Sequence, residues 1–172
     1  MVRVHAPARV LLLGTPAVIA GIDLSSFAVD VVLLEDDTDA ATWHRFELAG
    51  PTAFERARSL RAVFPTRSFW EDHGVWLLGI EDPHSRFPHA AKALGMATGA
   101  VAALLPRDLT VIQTAPKEWK RIFTDASNSD KQTVANVARY YHRFKADDFN
   151  ATDAYGIAWA VRHLNQQALD AA

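Results

Sequence analysis

Three acidic residues stand where apolar runs end. Asp23 follows "VIAGI" in the stretch "VIAGIDLSSFAVDVVLL", Glu81 closes "GVWLLGIE", and Asp153 lies in "DDFNATDAYGIAWAV", three residues after Asn150. Burying an unpaired carboxylate costs several kcal/mol, so such a group is neutralised, paired or bound to a metal. Two carboxylates placed side by side repel unless a cation or a shared proton intervenes. Asn150 and Asp153 are spaced to point the same way from one helix. Helix capping also accounts for that pair, with Asn150 as N-cap and Asp153 complementing the dipole at N3. With Asp23 and Glu81 otherwise unexplained, the three acids together favour a carboxylate cluster. Hard oxygen ligands without cysteine prefer Mg²⁺ or Mn²⁺ to Zn²⁺. Two such ions can activate a water and stabilise a leaving 3′ oxygen in phosphodiester cleavage, with Asp23 as the expected bridging ligand.

The elements that must carry these residues are legible from periodicity. Val18 to Ile22 and Phe27 to Leu34 read as strands joined by a tight turn in which Ser25 and Ser26 are turn formers, and Thr42 to Leu48 alternates as a third strand. The acidic "EDDTDAA" between the second and third strands reads as a solvated hairpin loop. Pro51 opens a helical pattern over Ala53 to Val63 that Pro65 ends. Gly74 to Glu81 is unalternated, as in a central strand covered on both faces. A helix from about Phe87 to Leu105 follows, then a strand over Leu109 to Thr114. A short turn at Lys117 to Phe123 and helices over about Asp130 to Arg143 and Ala151 to Ala168 complete the chain. Three meandering strands followed by alternating helix and strand specify an α/β sandwich: a five-stranded mixed sheet, antiparallel then parallel, with helices on both faces. In such sheets, sites form beyond the carboxyl ends of the strands.

Composition narrows the function classes. A chain of 172 residues with 49% hydrophobic and 22% charged residues suits one domain with a substantial core. Residues 17–168 are expected to form it, with residues 1–16 as an N-terminal extension. The absence of cysteine excludes disulfides and thiolate metal sites and is compatible with a cytoplasmic protein. The apolar runs are shorter than the about 20 residues that span a bilayer, and Gly14, Thr15 and Pro16 interrupt the one that resembles a signal peptide. The net charge of −2 hides an asymmetry: Arg107 to Lys145 carries +4 and the remainder −6. A basic face beside an acidic pocket suits an enzyme that grips phosphates and binds metal ions.

A strand ending "GIDLSS", a strand ending "LLGIE", a lysine-bearing stretch and a late "NATDAYGIAWA" helix, in that order, resemble the RuvC group of Holliday-junction resolvases in the RNase H-like superfamily. The resemblance covers about Val18 to Leu164. It implies a metal-dependent endonuclease that cuts branched DNA by paired nicks in opposed strands, using two Mg²⁺ ions for which Mn²⁺ substitutes. Asp23 resembles the first-strand catalytic aspartate, Glu81 the fourth-strand glutamate and Asp153 the last acid of the final helix. Asn150 stands where the family has a second acid or a histidine, and offers a carbonyl oxygen without charge; Asp147 or Asp148 would have to compensate from the preceding loop. Lys131 resembles a lysine that approaches the scissile phosphate, and Lys117 and Lys120 would contact the backbone nearby. Phe87 with Arg86, after the glutamate, would stack on an unpaired base. The helix "AKALGMATGAVAALL" is dense in small residues, which suggests close backbone approach, either to the sheet or, as the resemblance implies, to its copy in a homodimer.

Other readings remain at this stage. An RNase H-like nuclease acting on an RNA–DNA hybrid or a flap would share the acids. A junction-binding protein with weak or no cleavage would fit Asn150. The "GIDLSS" turn also occurs in actin-like ATPases, but those folds need a second half for which 172 residues leave no space.

Overall fold

The computed structural model describes residues 17–83 and 87–171. Arg86 and residues 1–16, with the extension expected there, lie outside the described residues. The chain runs β1 (Val18–Leu24), β2 (Ala28–Glu35), β3 (Ala41–Glu47), α1 (Ala53–Val63), α2 (Arg67–Asp72), β4 (Val75–Glu81), α3 (Pro88–Leu104), β5 (Thr110–Thr114), α4 (Pro116–Thr124), α5 (Lys131–Tyr140) and α6 (Phe149–Asp170). The strands form one sheet in the order β3-β2-β1-β4-β5. The β1–β2 and β2–β3 pairs are antiparallel, whereas β1–β4 and β4–β5 are parallel. This is the expected mixed sheet, with β1 and β4 side by side at its centre.

Strand alternation divides the core in two. Ala20, Ile22, Val29, Val31, Leu78 and Ile80 pack with Leu60 of α1, Trp70 of α2 and Val101 of α3. Ile19, Val32, Leu34 and Leu77 point the other way, into a cluster with Trp119, Phe123, Val134 and the α6 residues Ala154, Tyr155 and Ile157. In the same phase as Ile19 come Gly21 and Asp23, and in the same phase as Leu77 come Gly79 and Glu81. Both acids therefore face the α6 side.

The two glycines are partners across β1 and β4, and both lie under α6. A Cβ on Gly21 would collide with the Ala154 carbonyl oxygen and the Ala158 backbone. A Cβ on Gly79 would come within 2.7 Å of Val161 and 2.9 Å of Ile157. The pair lets α6 rest almost directly on the sheet backbone, which brings its first turns to the ends of β1 and β4.

Several details differ from the sequence expectation. The α2 helix was not anticipated, because six residues burying chiefly Trp70 are too few to show a helical period. The expected turn at Lys117 to Phe123 is the helix α4. The α5 helix stops at Tyr140, not Arg143, since Arg143 adopts a left-handed φ of 58°. The α6 helix starts at Phe149, so Asn150 is not its N-cap; Asp148 is, its Oδ1 accepting from the Asn150 amide at 2.7 Å. Gly95 and Gly99 of α3 meet nothing within 4 Å, so close packing on the sheet is not the reason for them.

Candidate active site

The β1–β2 turn that follows Asp23 is closed by Ser25, whose Oγ accepts from the amides of Ala28 at 2.9 Å and Phe27 at 3.2 Å. Strand register then lays a polar row across the sheet on the α6 side. Arg45 lies opposite Asp30, Asp30 opposite Asp23, and Glu81 opposite Thr114. Since Ile22 pairs with Ile80, the next residues, Asp23 and Glu81, stand level on adjacent strands. Asp153, at the start of α6 and 7% exposed, closes over them.

The flanking acids each have a donor. Asp30 is fully buried and accepts from Trp43 Nε1 at 2.9 Å and from Arg45 Nη1 at 3.2 Å. Glu81 Oε2 accepts from Trp119 Nε1 at 2.6 Å. Lys131 Nζ donates to Asn150 Oδ1 at 3.1 Å and lies 3.6 Å from Asp153 Oδ2. The other carboxylate oxygen of Asp153, Oδ1, is buried with no hydrogen-bond partner among the described residues. Among the described residues nothing donates to the Asp23 carboxylate. Its pKa is pushed up to about 8, first by burial and then by the charges of Asp153 and Glu81. Burial likewise raises Glu81, against the lowering effect of the Trp119 bond, and raises Asp153, against the lowering effects of Lys131 and Lys120. Three carboxyls buried together at this cost in lost solvation, with charge repulsion added at Asp23 and Glu81, create a local demand for positive charge.

Among the described residues no three His, Asp or Glu side chains stand at metal-holding spacing; Glu81 and Asp153 are engaged by Trp119 and Lys131 instead. The donor set nevertheless fits a hard divalent cation. It consists of oxygens, it includes an orphaned buried carboxylate oxygen on Asp153, and its central acid, Asp23, lacks a donor. Asp147 and Asp148 do not make up for the missing acid at Asn150. Asp148 commits one oxygen to capping α6 and the other to Arg45 Nη1 at 3.2 Å, while Asp147 is fully exposed and pairs with Arg139 at 3.3 Å.

Of the expected DNA contacts, Lys131 reaches the acids and Lys117 is exposed in the first turn of α4. Lys120 is partly buried, donates to the Ser129 carbonyl at 3.0 Å and lies over the Trp119 ring. Phe87 is 74% exposed at the N-cap of α3, just beyond the carboxyl end of β4. Sequence reasoning missed Asp30, Arg45 and Trp119. An acid inside the buried run "AVDVVLL" was a signal for Asp30; nothing local pointed to Trp119.

No family model matches the sequence. Over 77 residues the chain is 32% identical to the crossover junction endodeoxyribonuclease RuvC of Prosthecochloris aestuarii, a stretch that spans 43% of this chain and 41% of that protein. The fold superposes on Thermus thermophilus RuvC with a TM-score of 0.68 at 20% identity, covering 87% of this chain and 96% of the other. Against T. thermophilus RuvC in complex with Holliday junction substrate the TM-score is 0.70, with the same identity and coverage. The chain is thus RuvC-like in sequence over part of its length, and in architecture it has the RNase H-like fold of RuvC.

Proposed function

We propose that this chain is a metal-dependent, structure-selective endodeoxyribonuclease that resolves Holliday junctions or other branched DNA by paired nicks in opposed strands. The observation that carries the reading is the convergence of Asp23, Glu81, Asp153 and Lys131 at the carboxyl ends of the two central parallel strands. Asp23, Glu81, Asp153 and the carbonyl of Asn150 would hold Mg²⁺, with Mn²⁺ as a substitute and two ions per site. When bound, the ions supply an activated water and charge compensation at the leaving oxygen. Asp23, central in the row, would be the ligand common to both ions. Lys131 is placed to hold a phosphate oxygen beside Asp153, and Asn150 orients it. Lys117, Lys120, Arg86 and Phe87 would contact the DNA around the cut.

A four-way junction has near two-fold symmetry, so paired nicks call for two sites, which a homodimer supplies. The α3 helix is the proposed dimer surface. Gly95, Gly99 and Ala102 form an exposed strip along it, and none of the described residues comes close enough to the two glycines to require them. Among the described residues no helix is long and apolar enough to cross a membrane, and we place the protein in the cytoplasm of a bacterial cell or a phage-infected host.

The test is incubation with a labelled synthetic four-way junction and a matched linear duplex, with and without Mg²⁺ or Mn²⁺. Symmetric, metal-dependent nicks in the junction alone, absent in Asp23→Asn, are the expected result. One observation favours a second reading. Asn150 brings no charge and is already bonded to Lys131, as in a protein that binds junctions and cuts them weakly or not at all. Tight junction binding without nicks would favour it, and cleavage of an RNA–DNA hybrid or flap in preference to the junction would redirect the substrate class.

A further inference from the structure

The Trp119 indole is committed to the site by the way its ring is held. Trp119 is fully buried in α4, and its six-membered ring lies against Gly156 of α6, where a Cβ would come within 2.8 Å of Cζ3 and 3.3 Å of Cε3. Phe123, one turn further along α4, would meet the same Cβ at 3.0 Å. The glycine therefore admits the ring to a slot under α6, and the slot aims the N–H at the end of β4. The contrast is Trp70, 1% exposed on the opposite face of the sheet, whose Nε1 has no hydrogen-bond partner among the described residues. Trp119 instead makes a short, charge-assisted bond to Glu81 Oε2 at 2.6 Å.

We propose that Trp119 is a positioning residue for the metal site: its indole N–H occupies one oxygen of Glu81, fixes the plane of that carboxylate and leaves the other oxygen for the cation. The inference rests on the nuclease reading and adds to it a group that touches neither metal nor DNA. Partners of this kind, which orient a ligand from behind, change metal affinity or activity about 10- to 100-fold when removed.

The experiment compares full-length wild type, Trp119→Phe and Phe123→Leu. Trp119→Phe keeps a large ring and deletes the N–H; Phe123→Leu loosens the same packing and keeps the N–H. Mg²⁺ and Mn²⁺ affinities are measured by calorimetry, and junction cleavage is followed against Mg²⁺ concentration. Trp119→Phe is expected to weaken metal affinity and raise the half-saturating Mg²⁺ for cleavage, each by about 10-fold or more, with metal-free junction binding unchanged. Phe123→Leu is expected to leave both near wild type. Equal shifts in the two variants would reduce Trp119 to a packing residue and overturn the proposal. In the wild type, the indole ¹H–¹⁵N resonance of Trp119 is expected to move during a Mg²⁺ titration with the calorimetric affinity while that of Trp70 stays still. A stationary Trp119 resonance overturns the proposal even if Trp119→Phe does not fold. A wild type that cuts junctions with Mg²⁺, beside a Trp119→Phe of unchanged metal dependence, sinks this inference alone. A wild type that neither binds Mg²⁺ nor cuts sinks the nuclease reading as well.

Discussion

The two faces of the central strands are built to opposite ends. Toward α1 and α3, β1 and β4 present Ala20, Ile22, Leu78 and Ile80, an apolar surface covered by Leu60, Phe64 and Trp70. Toward α6, the same strands present Ile19 and Leu77, then a glycine each, then a carboxylate each. One face gains stability by burying apolar area. The other gives some of it up, burying Asp23 among like charges so that its pKa is pushed up to about 8 against an ordinary 3.8. A single alternation along a strand thus separates the residues that keep the sheet together from those that give it a use. The contrast also explains why the acids tolerate their position: the apolar face anchors the strand whose other side is frustrated.

The sharpest way to break this contrast is Asp23→Asn. Cleavage of a junction is expected to fall to background while junction binding persists. The metal-free protein should at the same time become more stable, because the substitution removes a carboxyl whose ionisation burial and its acidic neighbours oppose. The sign follows from linkage. The folded pKa lies above the unfolded one, so between about pH 4 and pH 8 the native state binds more protons than the unfolded state, and stability contributed by Asp23 is lost as pH rises through that window. Urea denaturation in a chelator should show wild-type stability declining across the window by on the order of a few kcal/mol, with Asp23→Asn flatter and its Tm at pH 7.5 higher by several degrees. Added Mg²⁺ should restore the wild type in this range and leave the variant unmoved. A wild type whose stability does not decline with pH would mean that Asp23 is not strained.

Glycine substitutions on the two sides of the sheet probe the same contrast with smaller effects. Gly21→Ala forces a methyl into the α6 backbone and is expected to cost about 1–3 kcal/mol or more, the range for overpacked cores. Its cleavage rate should fall further than that loss of folded protein explains, since Asp153 moves with the helix. Gly95→Ala meets open space on α3 and should stabilise the isolated protomer by up to about 1 kcal/mol through helix propensity. Sedimentation should show weaker dimerisation in that variant if α3 pairs with its copy. An unchanged dimer would place the interface elsewhere.

The smallest expected effect sits within the site. Asn150→Asp adds a charge beside Lys131 and Asp153, and calorimetry should show Mg²⁺ binding tightened by several-fold. Unchanged affinity would indicate that Lys131 neutralises the new charge in place of a cation.

The sequence was informative where function and local pattern coincide. Asp23 and Glu81 were legible because each ends an apolar run, and the mixed sheet followed from three meandering strands and two helix–strand alternations, whereas the adjacency of β1 and β4 came from the structure. Asp30 was not, because an acid inside a strand acquires its meaning from Arg45 and Trp43 on the neighbouring strand, a pairing that only the register of β2 with β3 supplies. Trp119 was hidden for the same reason: its partner lies 38 positions away in the chain. The start of α6 was misplaced by two residues because Asp148 and Asn150 are both good caps, and Arg45 holds the earlier one in place.

The glycine pair beneath α6 has a consequence for motion. A helix resting on other helices through side chains can shift as those side chains change rotamer, on picosecond to nanosecond timescales. Where α6 crosses Gly21, the Ala154 carbonyl and the Ala158 amide lie against the main chain of the sheet, which has no rotamers to exchange. Asp153, next to Ala154 in the chain, is thereby seated by a main-chain contact as well as by side-chain packing. The other wall of the site is set differently, by the long side chain of Lys131 reaching Asn150 at 3.1 Å and Asp153 at 3.6 Å.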